Sequence, residues 1–207
     1  MASSPRPKPA PAAREGPRAW QRMLSGRRLD LLNPSPFDVE IEDIAHGLAR
    51  VARWNGQTTG AHAFSVAQHS IEVEKICAKL APDWETKWGL AALIHDAPEY
   101  VIGDMISPFK AALGLDYKAF EAKLEAAIHV RFGLPAHMPP AIKGVIKRAD
   151  IICAYFEATQ LAGFTDKEAR QFFGAPPRGM NLKLTPKPTG EIEAAFLTRF
   201  RSLLAKI

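Results

Sequence analysis

The residues of this chain that could do chemistry centre on an imidazole beside a carboxylate, His95-Asp96. The dipeptide follows the apolar run Leu90-Ala91-Ala92-Leu93-Ile94 and precedes Ala97-Pro98-Glu99. His69 stands in Ser65-Val66-Ala67-Gln68-His69, and Asp150 in Lys147-Arg148-Ala149-Asp150. His69 and Asp150 fall on apolar helical stripes, where an unpaired charge is costly to bury. Two imidazoles and two carboxylates converging from separate helices form a donor set for one divalent ion, as in many bundle metal sites. Mixed nitrogen and oxygen donors suit Mn2+, Co2+, Fe2+ or Zn2+ better than an ion that takes oxygen alone. Octahedral coordination by these side chains leaves positions for a water and a phosphate oxygen, and such an ion acidifies its water. Glu99, four residues after His95 and three after Asp96, is a spare acid nominally on the same face, able to hold or deprotonate that water. Asp104, beyond Gly103, is a second acid that a tight turn would bring to the same pocket. The implied chemistry is metal-assisted hydrolysis.

Each residue also has a structural reading. A lone His on an apolar face is usually a hydrogen-bonded core residue. Asp150 has Lys147 and Arg148 as rival partners, although close sequence neighbours are expected to point to other faces. His129 and His137 read as structural or exposed, His46 as lying on the polar side of its helix, and His62 as a loop residue open to substrate contact.

The elements that must position these groups are helical. Ile41, Ile44, Ala45, Leu48, Val51 and Ala52 follow the spacing of one buried helical face. A turn-rich break at Asn55-Gly56-Gln57-Thr58-Thr59-Gly60 precedes a helix over about 65–80 that carries His69. The next helix, about 84–97, carries His95-Asp96 and should kink or end at Pro98, which lacks an N–H and clashes with the carbonyl four residues back. Ser107-Pro108 reads as the start of a short helix to about Leu113. A longer helix follows, capped by Asp116 and stopped by Gly133. Pro139-Pro140 opens the helix of Asp150, about 140–161. A short helix near 166–173, a Pro/Gly-rich loop and a last helix complete the chain. No segment shows period-two alternation. The expected fold is all-α, a single-domain helical bundle with an irregular N-terminal arm.

At 207 residues the chain can bury one substantial core. Residues 1–28 hold seven Lys/Arg and one Glu, whereas residues 29–207 hold twenty Lys/Arg and twenty-one Asp/Glu. The net charge of +5 therefore comes from the first segment, and the remainder makes no electrostatic case for binding nucleic acid. Residues 1–28 are expected to be a disordered, basic, Pro-rich tail, with residues 29–207 as the domain. A basic, acid-poor start also resembles a transit peptide, but its prolines oppose an amphipathic helix. No run of about 18 apolar residues suggests a membrane span. Cys77 and Cys153, without CxxC spacing, read as reduced core thiols in a cytoplasmic protein.

The ordered set His69…His95-Asp96…Asp150 resembles the defining pattern of the HD-domain metal-dependent phosphohydrolases. Ala67-Gln68-His69-Ser70, His95-Asp96-Ala97-Pro98-Glu99, Gly103-Asp104-Met105-Ile106-Ser107-Pro108-Phe109-Lys110 and Lys147-Arg148-Ala149-Asp150-Ile151-Ile152-Cys153-Ala154-Tyr155 are similar to the 5′-deoxynucleotidase branch, as is Arg53-Trp54 ahead of the first His. The resemblance spans about residues 41–160. It implies one divalent metal on His69, His95, Asp96 and Asp150, with Glu99 and Asp104 as acid-base and water-orienting carboxylates. It also implies that Arg53, joined by Lys110, clamps the 5′-phosphate, that Trp54 shapes the nucleoside pocket, and that Pro108 packs against the sugar. Composition alone leaves Trp54 open as a core aromatic. The implied substrate is a small nucleotide, foremost a deoxyribonucleoside 5′-monophosphate. A dNTP triphosphohydrolase and a metal- and nucleotide-binding helical module with little turnover remain as alternatives. On family grounds a homodimer is a further expectation.

Overall fold

The structure, a computed structural model, describes residues 19–104 and 115–207, with the side chains of 115–117 left aside. Eight α-helices are described: α1 (Ile41–Leu48), α2 (Val66–Leu80), α3 (Thr86–Leu93), α4 (Glu99–Ile102), α5 (Leu115–Arg131), α6 (Pro140–Gln160), α7 (Asp166–Phe173) and α8 (Thr189–Leu204). The expected all-α bundle is what forms. The helix expected over 107–113, with Pro108 and Lys110, lies outside the described residues.

The pairing of α2 with α6 positions the site. Ser65 starts α2, its hydroxyl accepting from the Gln68 N–H as an N-cap. Val66, Val73, Ile76 and Cys77 then bury one face. Pro140 occupies the first turn of α6, where its missing N–H costs no helical hydrogen bond. Ile146, Ala149, Ile152, Cys153 and Phe156 line its buried side. α3 lies against α2, and α8 closes the bundle with Phe196 and Phe200 buried against α1, α2 and α3. Both cysteines are free and buried, and burial pushes each thiol up to about 12.

α1 meets α4 at a glycine. A Cβ on Gly47 would stand 2.8 Å from the Tyr100 Cβ and 3.0 Å from the Tyr100 carbonyl oxygen. Because the obstruction includes backbone, Gly47→Ala must push apart the helix that begins with Glu99. The expected cost is about 1–3 kcal/mol, and each kcal/mol lowers Tm by roughly 2–4 °C in a chain of this size. Calorimetric melting checks this; an unchanged Tm would show that the helices separate freely.

Two expectations are corrected. The boundary after residue 28 cuts through an ordered hairpin in which β1 (Trp20–Arg22) pairs antiparallel with β2 (Arg28–Asp30). Ser25 at the hairpin turn donates from its N–H and hydroxyl to Asp43 of α1, and Leu29 is fully buried. In a strand of three residues only Leu29 turns inward, too little for alternation to show. The second correction is the end of α3. The helix stops at Leu93, and Ile94 has ψ 18°. Ile94 is the residue whose carbonyl the Pro98 ring would strike in a continuing helix. His95 and Asp96 thus sit in the turn between α3 and α4 rather than on a helix.

Among the described residues, no helix is long and apolar enough to cross a membrane.

Candidate metal centre

His69 lies one turn into α2, with its side chain fully buried. Its Nδ1 is 2.6 Å from Glu157 Oε1. An ionised carboxylate can only accept, so Nδ1 carries the proton and donates. The early end of α3 leaves its last carbonyls short of helical N–H partners. His95 Nδ1 takes one of them, standing 2.9 Å from the Ala92 oxygen. A carbonyl likewise only accepts, so this ring too is protonated at Nδ1. Both imidazoles are therefore held through the far nitrogen with Nε2 facing the centre, an arrangement that second-shell partners commonly impose on metal-binding histidines.

Asp96 Oδ2 lies 3.3 Å from His95 Nε2 and 3.5 Å from His69 Nε2, and Asp150 Oδ1 lies 3.4 Å from His69 Nε2. Both Nε2 atoms are buried without a hydrogen-bond partner. Ligands bound at normal lengths to one tetrahedral or octahedral ion stand about 3–3.5 Å apart. The residues fit a divalent ion on two counts, the spacing and the orphaned nitrogens. Donor atoms of His69, His95 and Asp150 all lie within 4.8 Å of one another.

The electrostatics follow this crowding. Burial opposes the charge on Asp96, yet His95 and His69 hold its pKa well below the ordinary value. Asp150 is likewise lowered against burial, chiefly by His69. Burial and Arg53 oppose a positive His69, but Glu157 and its other acidic neighbours outweigh them and raise its pKa.

Asp150 has an unexpected companion. Lys147 Nζ reaches its Oδ2 at 2.8 Å, one helical turn away. The expectation that Lys147 points to another face is corrected, because i and i+3 are neighbours on a helix surface. His95, Asp96, Glu99, Lys147 and Asp150 line a cavity of about 740 Å³ that runs on between α5 and α6 past Lys118, Glu125 and Lys143. Glu99, the first residue of α4, is only 3% exposed.

Arg53 and Trp54 are not among the residues lining that cavity. Arg53 Nη1 meets Asp104 at 3.3 Å, and its Nε meets Glu157 at 3.3 Å. Burial works against its charge, but Glu157 and Asp104 raise its pKa further above the ordinary range. Trp54 packs against Phe164 and Phe173 at centroid distances of 5.6 and 6.1 Å. Its indole N–H donates to Glu157 Oε2 at 2.8 Å. Asp104 is thus brought to Arg53, and Pro108 and Lys110 lie outside the described residues. His46 and His129 also find places: His46 meets Glu193 at 3.3 Å, and His129 is buried at the cavity wall.

The residue that sequence reasoning missed is Glu157. It is fully buried and held down to about 2, with Arg53 and His69 overcoming the cost of burial. The signal was present: Glu157 follows Asp150 by seven residues, two helical turns along the same stripe.

The sequence profile of the HD domain matches residues 66–155, the span that contains His69, His95, Asp96 and Asp150. An uncharacterized protein of Rhodobacter capsulatus is 57% identical over 194 residues, covering 92% of this chain and 98% of that one. The chain belongs to the HD-domain family. The uncharacterized protein YfdR of Escherichia coli is 32% identical over 182 residues, 88% of this HD-domain chain and 94% of YfdR. A 5′-deoxynucleotidase of Citrobacter koseri is 29% identical over 119 residues, which is 46% of this chain and 60% of that enzyme. Among solved structures, the cyanophage S-2L HD phosphohydrolase DatZ, bound to dA and one catalytic Zn2+ ion, shares the fold. Its TM-score is 0.51 at 20% identity, covering 82% of this chain and 98% of DatZ. Glu157 lies two residues beyond the span that the HD profile matches.

Proposed function

We propose that this HD-domain protein is a divalent-metal-dependent phosphohydrolase that removes the 5′-phosphate of small nucleotides, foremost deoxyribonucleoside 5′-monophosphates. One observation carries the reading: two imidazoles pinned through Nδ1 turn their Nε2 atoms to two carboxylates at the rim of a cavity where Glu99 is buried. The similarity to a 5′-deoxynucleotidase and the shared fold with a dA-bound phosphohydrolase support the substrate class.

His69, His95, Asp96 and Asp150 would hold the ion, with Mn2+, Co2+, Fe2+ or Zn2+ suited to the donors. Such an ion supplies positive charge against phosphoryl oxygens and makes water more acidic. Glu99 accepts the proton of the attacking water. Asp104 orients the Arg53 guanidinium, whose planar fork matches a phosphate. Lys110 joins Arg53 on the phosphate, Trp54 borders the nucleoside and Pro108 the sugar.

The test is product analysis on the purified protein with dNMPs, NMPs and dNTPs in the presence of each metal. The expected products are nucleoside and inorganic phosphate from dNMPs. Absence of phosphate with every nucleotide and metal would overturn the reading. A second reading, release of tripolyphosphate from dNTPs, is favoured by Lys118, Lys143 and Lys147 along one cavity, which offer charge for a longer anionic chain. Tripolyphosphate as the product would replace the first reading with the second.

A further inference from the structure

Glu157 belongs to no expected donor set, yet its carboxylate joins three side chains from two parts of the chain. Oε1 accepts from His69 Nδ1 on α2 at 2.6 Å. Oε2 accepts from Trp54 Nε1 at 2.8 Å and from Arg53 Nε at 3.3 Å. No part of Glu157 is exposed, so its charge is met by these donors rather than by bulk solvent. The two oxygens of one rigid, planar group are thus divided: one steadies the metal-facing histidine and the other steadies the turn at 53–56.

That turn needs support. Trp54 and Asn55 both have positive φ, 58° and 51°, a conformation that costs a non-glycine residue energy and persists where its surroundings over-determine it. The indole N–H bond to Glu157 and the contacts with Phe164 and Phe173 are what hold Trp54 there. The backbone on either side is clamped as well: Ala52 bridges to Ser65, and the Arg53 N–H donates to the Phe64 carbonyl at 2.8 Å.

We propose that Glu157 is a positioning residue that couples the metal centre to the Arg53–Trp54 turn, setting the protonated nitrogen of His69 through one oxygen and the place of Trp54 through the other. The inference rests on the proposed function only where it treats Arg53 and Trp54 as substrate contacts. The coupling itself is between two sets of this chain's own residues. A cation on His69 Nε2 strengthens Nδ1–H as a donor, and hydrogen bonds that share an acceptor respond to one another. Outer-shell carboxylates of metal-binding histidines also raise the basicity of the ring.

The experiment titrates the full chain with Zn2+ and follows the indole N–H signals in 1H–15N spectra. The four tryptophans give four such signals, and Trp54→Phe identifies the one that matters. In the parent, the Trp54 signal should move as Zn2+ binds, although Trp54 donates to Glu157 and not to the centre. A Trp54 signal that stays fixed through saturation overturns the proposal without recourse to any variant. In Glu157→Gln, the amide can donate to His69 Nδ1 and leave the proton on Nε2, the nitrogen the metal requires free. Calorimetry should then show Zn2+ binding about 10- to 100-fold weaker, the usual cost of losing an outer-shell partner, and the Trp54 signal should no longer follow the metal. Zn2+ affinity within twofold of the parent, or a Trp54 response that survives the substitution, overturns the proposal. A purely structural role for Glu157 would lower Tm without uncoupling Trp54 from the metal. Neither readout uses a nucleotide, so a failure of the proposed substrate would leave this result standing.

Discussion

Asp96→Ala is expected to lower divalent-metal affinity by at least about 100-fold, more than the ~10–100-fold loss that follows removal of an outer-shell partner. Phosphate release should fall to the level without enzyme. The Asp96 carboxylate is the negative charge that both imidazoles share, at 3.3 Å from His95 Nε2 and 3.5 Å from His69 Nε2. Without it, two buried Nε2 atoms face one remaining carboxylate, Asp150, which Lys147 already engages. The loss should fall on the metal and not on the fold, because the Asp96 side chain is 24% exposed and its truncation opens no core cavity. Calorimetric titration with Mn2+, Co2+ and Zn2+ reads the affinity, melting reads the fold, and phosphate release reads activity. Undiminished phosphate release by the variant at limiting metal would remove this centre from the mechanism.

The donor set was legible because it breaks a pattern. His69 and Asp150 interrupt apolar helical stripes, and a polar group on such a stripe demands a partner. The partners themselves were less legible. Glu157 lies on the same stripe as Asp150 two turns on, but its partners come from 88 to 104 residues away in sequence, and no local spacing shows which acid meets which donor. The apolar run before His95 read as a helix through residue 97 because periodicity does not register a break. Pro98 pointed to an interruption, but the break comes four residues earlier, where the ring would have met the Ile94 carbonyl. That shift has a local consequence: it leaves the Ala92 carbonyl to the His95 ring, whose Nδ1 stands 2.9 Å away. The hairpin at residues 20–30 escaped for another reason. Its docking depends on Ser25 meeting Asp43 and on one buried leucine, while its arginines and proximity to a Pro-rich start read as tail. Arg53 and Trp54 were legible as a pair, but their shared anchor on Glu157 is a tertiary fact.

Glu99→Gln should fail in the opposite manner, leaving metal bound and slowing the chemistry by about 10²–10⁴-fold, the range for a lost general base. Glu99 begins α4, and its backbone N–H donates to the Asp96 carbonyl at 3.0 Å. The backbone of a donor residue thus sets where the acid stands, three residues away across a single turn. Its side chain is buried in the wall of the cavity that His95, Asp96 and Asp150 also line, which makes it the acid proposed to take the proton of the attacking water. Glutamine preserves the size and the hydrogen-bonding shape of the side chain but cannot accept a proton. Metal stoichiometry and affinity should therefore match the parent, nucleotide binding should be retained, and kcat alone should fall. Loss of metal in this variant would make Glu99 a ligand, and an unchanged kcat would pass the role of base to another group, with Asp104 next in line. Paired with Asp96→Ala, the substitution separates holding the ion from using it: one variant loses the metal and the rate together, whereas the other loses the rate with the metal in place.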